Sequence, residues 1–156
     1  HVSAVPNHQT GRSTPLHTRG IVAMAGTFGY ELDPAKLTEE EKEEVKEQIR
    51  QYKKHESLIR QGEYYRLSDP FQSPFATWMI VSEDGRNALF NAAALEIHGN
   101  MPVHYVKLKG LNPETLYENT ESGERYYGSS LMKGGIPVPM EMGEYGAVQI
   151  EFRAIG

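Results

Sequence analysis

The sequence predicts a mainly β protein. An antiparallel β-sandwich is expected over residues 62–156, preceded over residues 1–61 by the helix–strand–helix end of a (β/α)8 barrel. Three observations predict it. About seven short stretches with alternating or apolar character follow Gly62, separated by Gly, Pro, Asn and Asp. One strongly patterned helix precedes that glycine. Ahead of the helix lie a weaker helical stretch and a strand-like one, the order of the last unit of an α/β barrel. The texture changes at Gln61-Gly62, which sets the boundary.

Thr14 to Ala25 is weakly helical, and Pro15 suits a first turn, where its missing N–H leaves no bond unmade. Gly26 to Leu32 reads as a short strand ending at Asp33-Pro34. The helix that follows has the clearest signal. Thr38 can accept hydrogen bonds from orphan N–H groups, and Glu41, three residues on, can reach back to complete a capping box. Glu39, Glu40 and Glu41 put negative charge at the positive end of the helix dipole. Val45, Ile49 and Tyr52 share one face, and Leu58 and Ile59 extend the stripe. The remaining Glu and Lys residues read as a solvated outer face.

After Gly62 the period changes. Glu63 to Leu67 and Thr77 to Ser82 read as strands, with Trp78 and Ile80 on a half-buried face. Glu83-Asp84-Gly85-Arg86 supplies hairpin chemistry, because Gly85 takes positive φ at little cost. Ala88 to Leu95 returns as a third strand, although Ala93 and Ala94 make it a poor one by propensity. Val103 to Leu108 is a strand, and Gly110-Leu111-Asn112-Pro113 breaks it. Leu116 to Asn119 and Glu124 to Tyr127 form a hairpin around Ser122-Gly123. Ser130 to Pro137 is turn-rich, and Ala147 to Ala154 closes the set.

Composition excludes several functions. At 156 residues there is no room for a whole barrel, which needs roughly 250. The net charge is −5 with no basic stripe, so no nucleic-acid partner is expected. No run reaches the roughly eighteen apolar residues of a membrane span. The absence of Cys rules out disulfides and thiolate metal ligands and fits a reducing cytoplasm, the expected location.

Candidate chemistry is sparse. His1, His8 and His17 do not match a compact zinc spacing, and solvent-facing or structural roles are expected for them. Asp33, Asp69 and Asp84 each precede Pro or Gly, where an Asp side chain satisfies local backbone donors. A glycosidase needs two carboxyls facing one bond, and nothing pairs these three. Tyr64, Tyr65, Phe71, Phe75 and Trp78 could form a sugar-stacking platform, but a lone Trp in an alternating strand reads first as core. Gly134-Gly135 lacks the strand–turn–helix setting of a phosphate loop and reads as a turn.

Several segments together resemble the microbial α-galactosidases of glycoside hydrolase family 36. They are HVSAVPNHQTGR (1–12), TPLHTRGIVAMAGTFGYELD (14–33), LTEEEKEEVKEQI (37–49) and YYRL (64–67). WMIVSED (78–84), LKGLNPETLY (108–117) and GSSLMKGGIPVP (128–139) agree more loosely. Asn91-Ala92-Ala93-Ala94 departs from the bulkier strand usual there. The resemblance implies the C-terminal piece of a retaining enzyme that hydrolyses terminal α-galactosyl residues of melibiose- and raffinose-type oligosaccharides. His1 to Asn7 would then end the penultimate barrel strand, and Gly26 to Glu31 would be the last. The family's aspartate nucleophile and aspartate acid/base lie on earlier strands, so no residue here inherits a catalytic, cofactor-binding or metal-binding role. The isolated chain is expected to be inactive. Its expected partners are the parent enzyme's galactosyl oligosaccharide and, through the stripe of Val45, Ile49 and Tyr52, a second copy of itself. The competing expectation is an autonomous carbohydrate-binding or oligomerising β-domain.

Overall fold

A computed structural model covers His1–Gly156 and describes every residue but Met140. In chain order its elements are β1 (Val2–Ser3), α1 (Leu16–Ala23), β2 (Tyr30–Glu31), α2 (Glu39–Gln61), β3 (Glu63–Arg66), β4 (Phe75–Val81) and β5 (Asn87–Ala94). Then come β6 (Tyr105–Val106), β7 (Leu116–Asn119), β8 (Arg125–Tyr127), α3 (Gly128–Lys133), β9 (Ile136–Pro137) and β10 (Ala147–Ala154). Six strands make one antiparallel sheet in the order β3-β4-β5-β10-β7-β8. β1 and β2 pair in parallel, with Val2 opposite Tyr30, and β6 and β9 pair antiparallel. The architecture is thus mixed helix and antiparallel sheet rather than mainly β.

Strand alternation sorts the large sheet into two faces. Phe75, Met79, Val81, Phe90 and Phe152 point one way and form the main core with Val106, Leu131, Ile136 and Val138 from β6, α3 and β9. Trp78, Ala93 and Ala147 point the other way, against Ile21 of α1. Helices cover that second face, and a thin layer of two short strands and one helix covers the first. Each of the large buried apolar side chains contributes roughly 1.5–3 kcal/mol relative to exposure.

Local signals explain the elements. Thr38 Oγ1 accepts from Glu41 N at 3.2 Å, and Glu41 Oε2 accepts from Thr38 N at 2.9 Å, so the capping box is closed. Gly85 and Gly123 both take positive φ, at 68° and 74°, in the two hairpin turns. The alanines of β5 are its adaptation to a central position. Ala93 is opposite Ala147, and together they leave space for Trp78 and for α1. Low intrinsic strand propensity is outweighed by pairing on both edges and burial on both faces. Ser130 to Pro137, expected to be turns, instead contains most of α3 and then β9; Leu131 and Ile136 are buried there and hold both in place. The strand expected over Val103 to Leu108 shrinks to β6.

The inward face of α2 differs from the expected stripe. Gln48 and His55, seven residues apart, are its buried residues. Ile49 is 37% exposed. Tyr52 is half-buried and stacks on Phe28 with ring centroids 5.0 Å apart.

Candidate functional site

Two regions concentrate polar side chains on rigid supports. The first is the C-terminal end of the parallel pair β1–β2. Asn7 organises the loop after β1: its Oδ1 accepts from Gln9 N and Thr10 N at 3.0 Å each, and its own N–H donates to Arg12 O at 2.8 Å. Arg19 of α1 clamps both ends of this segment, donating to Ser3 O at 2.5 Å and to Thr14 O at 2.9 Å. Burial holds the Arg19 pKa below its ordinary value, partly offset by Glu41 and Glu44. His1 lies 2.5 Å from Glu31 at the edge of the pair.

Behind that end, Tyr30 donates to Gln48 Oε1 at 2.8 Å, and Gln48 Nε2 donates to Leu16 O at 3.0 Å. Gln48 therefore ties α2 to both α1 and β2. Burial, with a smaller push from Glu44, raises the Tyr30 pKa to about 12, so this hydroxyl keeps its proton and acts as a donor.

The second region is a groove of about 410 Å³ between α2, α1 and the sheet. Gln48, His55, Gln149 and Glu151 line it. Glu151 accepts from Lys54 Nζ at 2.5 Å and from Arg153 at 3.0 Å. Burial alone would raise its pKa, but these two hydrogen bonds outweigh it and leave the carboxyl below its ordinary value. Asp84 is also lowered, by hydrogen bonds from Ser82 and the Arg86 backbone. Glu40 is lowered by backbone and Thr38 hydrogen bonding. A glycosidic acid must hold its proton near neutral pH. The shifted carboxyls move the other way.

The remaining sequence candidates sort cleanly. Asp33 caps a short 3-10 turn by accepting from Ala35 N at 3.0 Å, Asp69 accepts from Phe71 N at 3.0 Å, and Asp84 accepts from Arg86 N at 3.0 Å. These are the local turn roles that their neighbours imply. Among the described residues, no group of three or more His, Cys, Asp and Glu is arranged to hold a metal. The five aromatics do not share a surface. Phe75 and Trp78 are buried, Tyr65 packs on the main core, Tyr64 is on the opposite strand face, and Phe71 is 97% exposed in a loop. Sequence reasoning missed Gln48 and His55, because polar residues in a Glu/Lys-rich helix read as solvated. The partners that turn Gln48 inward, the Tyr30 hydroxyl and the Leu16 carbonyl, lie in other elements, so the helix pattern carried no signal of it.

The melibiase family model matches residues 1–62, and the model of the glycosyl hydrolase family 36 C-terminal domain matches residues 75–152. The chain belongs to glycoside hydrolase family 36. Its relatives in that family include the bifunctional α-galactosidase/sucrose kinase AgaSK of Mediterraneibacter gnavus, 54% identical over 97% of this chain and 16% of the relative. α-Galactosidase AgaA of Geobacillus stearothermophilus is 43% identical over 99% of this chain and 21% of the relative. Solved structures agree. The galactosidase domain of AgaSK superposes with a TM-score of 0.96 at 52% identity, over 99% of this chain and 21% of that one. A structure of AgaA in complex with raffinose gives 0.95 at 42%, with the same two coverages. The chain thus spans about a sixth to a fifth of the length of these family 36 proteins.

Proposed function

We propose that this chain is the C-terminal part of a retaining α-galactosidase acting on melibiose- and raffinose-type oligosaccharides, and that it is inactive by itself. The observation that carries the reading is the relationship to α-galactosidases along 97–99% of the chain. In this reading residues 1–61 complete a (β/α)8 barrel and residues 62–156 form the β-sandwich behind it; the two family matches, 1–62 and 75–152, support that division. The parallel pair β1–β2 then joins parallel neighbours that bury it on both sides. Arg19 and Asn7 fix the shape of a loop at the barrel mouth, where substrates of such barrels enter. α2 holds the barrel end through Gln48 and meets the sheet through the Lys54–Glu151 pair.

Inactivity follows from the chemistry. A retaining mechanism needs one ionised carboxylate as nucleophile and one protonated carboxyl as acid, about 5–5.5 Å apart. The family's motifs for both lie outside this sequence. The purified chain should leave an aryl α-galactoside intact at high protein concentration. Turnover that disappears on replacing Asp33, Asp69 or Asp84 by Asn sinks the reading. Self-association through the exposed side of α2 belongs to the same proposal.

A further inference from the structure

We infer that the groove beside Phe71 is a carbohydrate subsite, a place where the outer sugars of an oligosaccharide stack on an aromatic ring and hydrogen-bond at its rim. The groove measures about 520 Å³ and is lined by Phe71, Gln72, Glu96, His98, Met101 and Tyr145, among others. The identity of the sugar rests on the α-galactosidase reading; the existence of the site rests on the geometry that follows.

Phe71 is 97% exposed, the most exposed of the large hydrophobic side chains among the described residues. Its loop is hydrogen-bonded internally. Asp69 Oδ1 accepts from Phe71 N at 3.0 Å, and Asp69 O accepts from Gln72 N at 3.1 Å and Ser73 N at 2.9 Å. Pro70 and Pro74 flank the turn, and Pro74 O accepts from Leu95 N at 2.8 Å. With the backbone so ordered, binding has only the two side-chain torsions of Phe71 to immobilise. Tyr145, which lines the same groove, sits at φ 59°, a conformation a bulky residue adopts only when its surroundings impose it. Those surroundings are visible: Thr18 Oγ1 donates to Tyr145 O at 2.6 Å, and the Arg12 guanidinium lies 5.1 Å from the ring centroid.

The chemistry selects the ligand class. The negative face of an aromatic ring attracts the positively polarised C–H face of a pyranose. The rim supplies both donors and acceptors for hydroxyls, with the His98–Glu96 pair 3.2 Å apart and Gln72 beside them. Glu96 and Glu144 make the groove acidic, which disfavours anionic ligands such as phosphates and leaves a neutral polyhydroxylated one. Its position fits an outer subsite. Arg12 and Thr18 belong to the segment that follows β1, so the groove adjoins the end of the parallel pair at which a barrel receives substrate.

The test is an NMR titration of the 156-residue chain with raffinose and stachyose. Fast-exchange shifts are expected at Phe71, Gln72, His98 and Tyr145, with a dissociation constant on the order of 1–10 mM. Phe71→Ala should weaken binding about fivefold or more at unchanged melting temperature, Phe71→Tyr should retain it, and His98→Ala should weaken it by a smaller factor. Absence of shifts at the groove, or shifts undiminished in Phe71→Ala, overturns the proposal. So does concentration-dependent dimerisation that Phe71→Ala abolishes while sugar has no effect, because the ring would then be a self-docking anchor. The titration needs no turnover, so its failure is separate from any failure of the α-galactosidase reading. That reading is tested by activity alone.

Discussion

Tyr117→Phe isolates a single hydroxyl at the centre of the sheet domain. Tyr117 is 0% exposed. Its hydroxyl donates to Gly85 O at 2.6 Å and accepts from Asn112 N at 3.0 Å, linking the β4–β5 turn to the turn before β7. The Asn112 turn is also held by its own bonds, with Thr115 N donating to Asn112 O at 3.2 Å and Glu114 N to Asn112 Oδ1 at 3.0 Å. The substitution keeps the ring and its packing, and removes one donor and one acceptor. Each hydrogen bond contributes about 0.5–1.5 kcal/mol net, and a partner left unsatisfied costs about 1–3 kcal/mol. A loss of about 2–3 kcal/mol is expected, and at roughly 2–4 °C per kcal/mol this lowers the melting temperature by about 4–12 °C. Urea unfolding gives the direct measure: the midpoint should fall with the slope unchanged. A loss below about 0.5 kcal/mol would refute the view that this hydroxyl ties the two turns together.

Two further predictions follow from α2. Burial lowers the pKa of His55 in the folded chain, with Glu151 opposing and Lys54 and Arg153 adding to the shift. The unfolded chain therefore binds more protons below the free imidazole pKa of about 6.5, and stability should fall as pH drops from about 7.5 to 5.5. His55→Leu should flatten that slope in urea midpoints; an unchanged slope assigns the effect elsewhere. Glu151, whose pKa is lowered, loses its contribution in a separate window, as pH falls below the ordinary Glu range. Ile49, still 37% exposed, should support weak self-association that Ile49→Glu removes in sedimentation experiments. A wild type that stays monomeric across the concentration range counts against it.

The parts of the fold legible in the sequence are those fixed by neighbours in the chain. The Thr38–Glu41 capping box and the glycine turns at Gly85 and Gly123 depend on residues within a few positions of one another. The turn roles of Asp33, Asp69 and Asp84 were legible for the same reason. What escaped was decided by distant partners. β5 is a strand because β4 and β10 flank it, not because alanine favours strands. α3 and β9 exist because Leu131 and Ile136 complete a core whose other half lies more than thirty residues earlier. α2 turns Gln48 inward because Tyr30 and the Leu16 carbonyl satisfy its amide, a match no helical periodicity reveals. The aromatic residues looked like one cluster in sequence. Strand alternation and a loop separate them, leaving Phe71 in water.

The central claim is that this chain supplies the end of an α-galactosidase rather than an activity of its own. The most direct measurement is the rate at which a chimera hydrolyses an aryl α-galactoside. In that chimera these 156 residues replace the aligned segment of Geobacillus stearothermophilus AgaA, to which they are 43% identical. The account predicts turnover within about tenfold of intact AgaA, since in the proposed reading both catalytic carboxyls come from the host barrel. A chimera that folds, binds galactose and yet turns over nothing would contradict it.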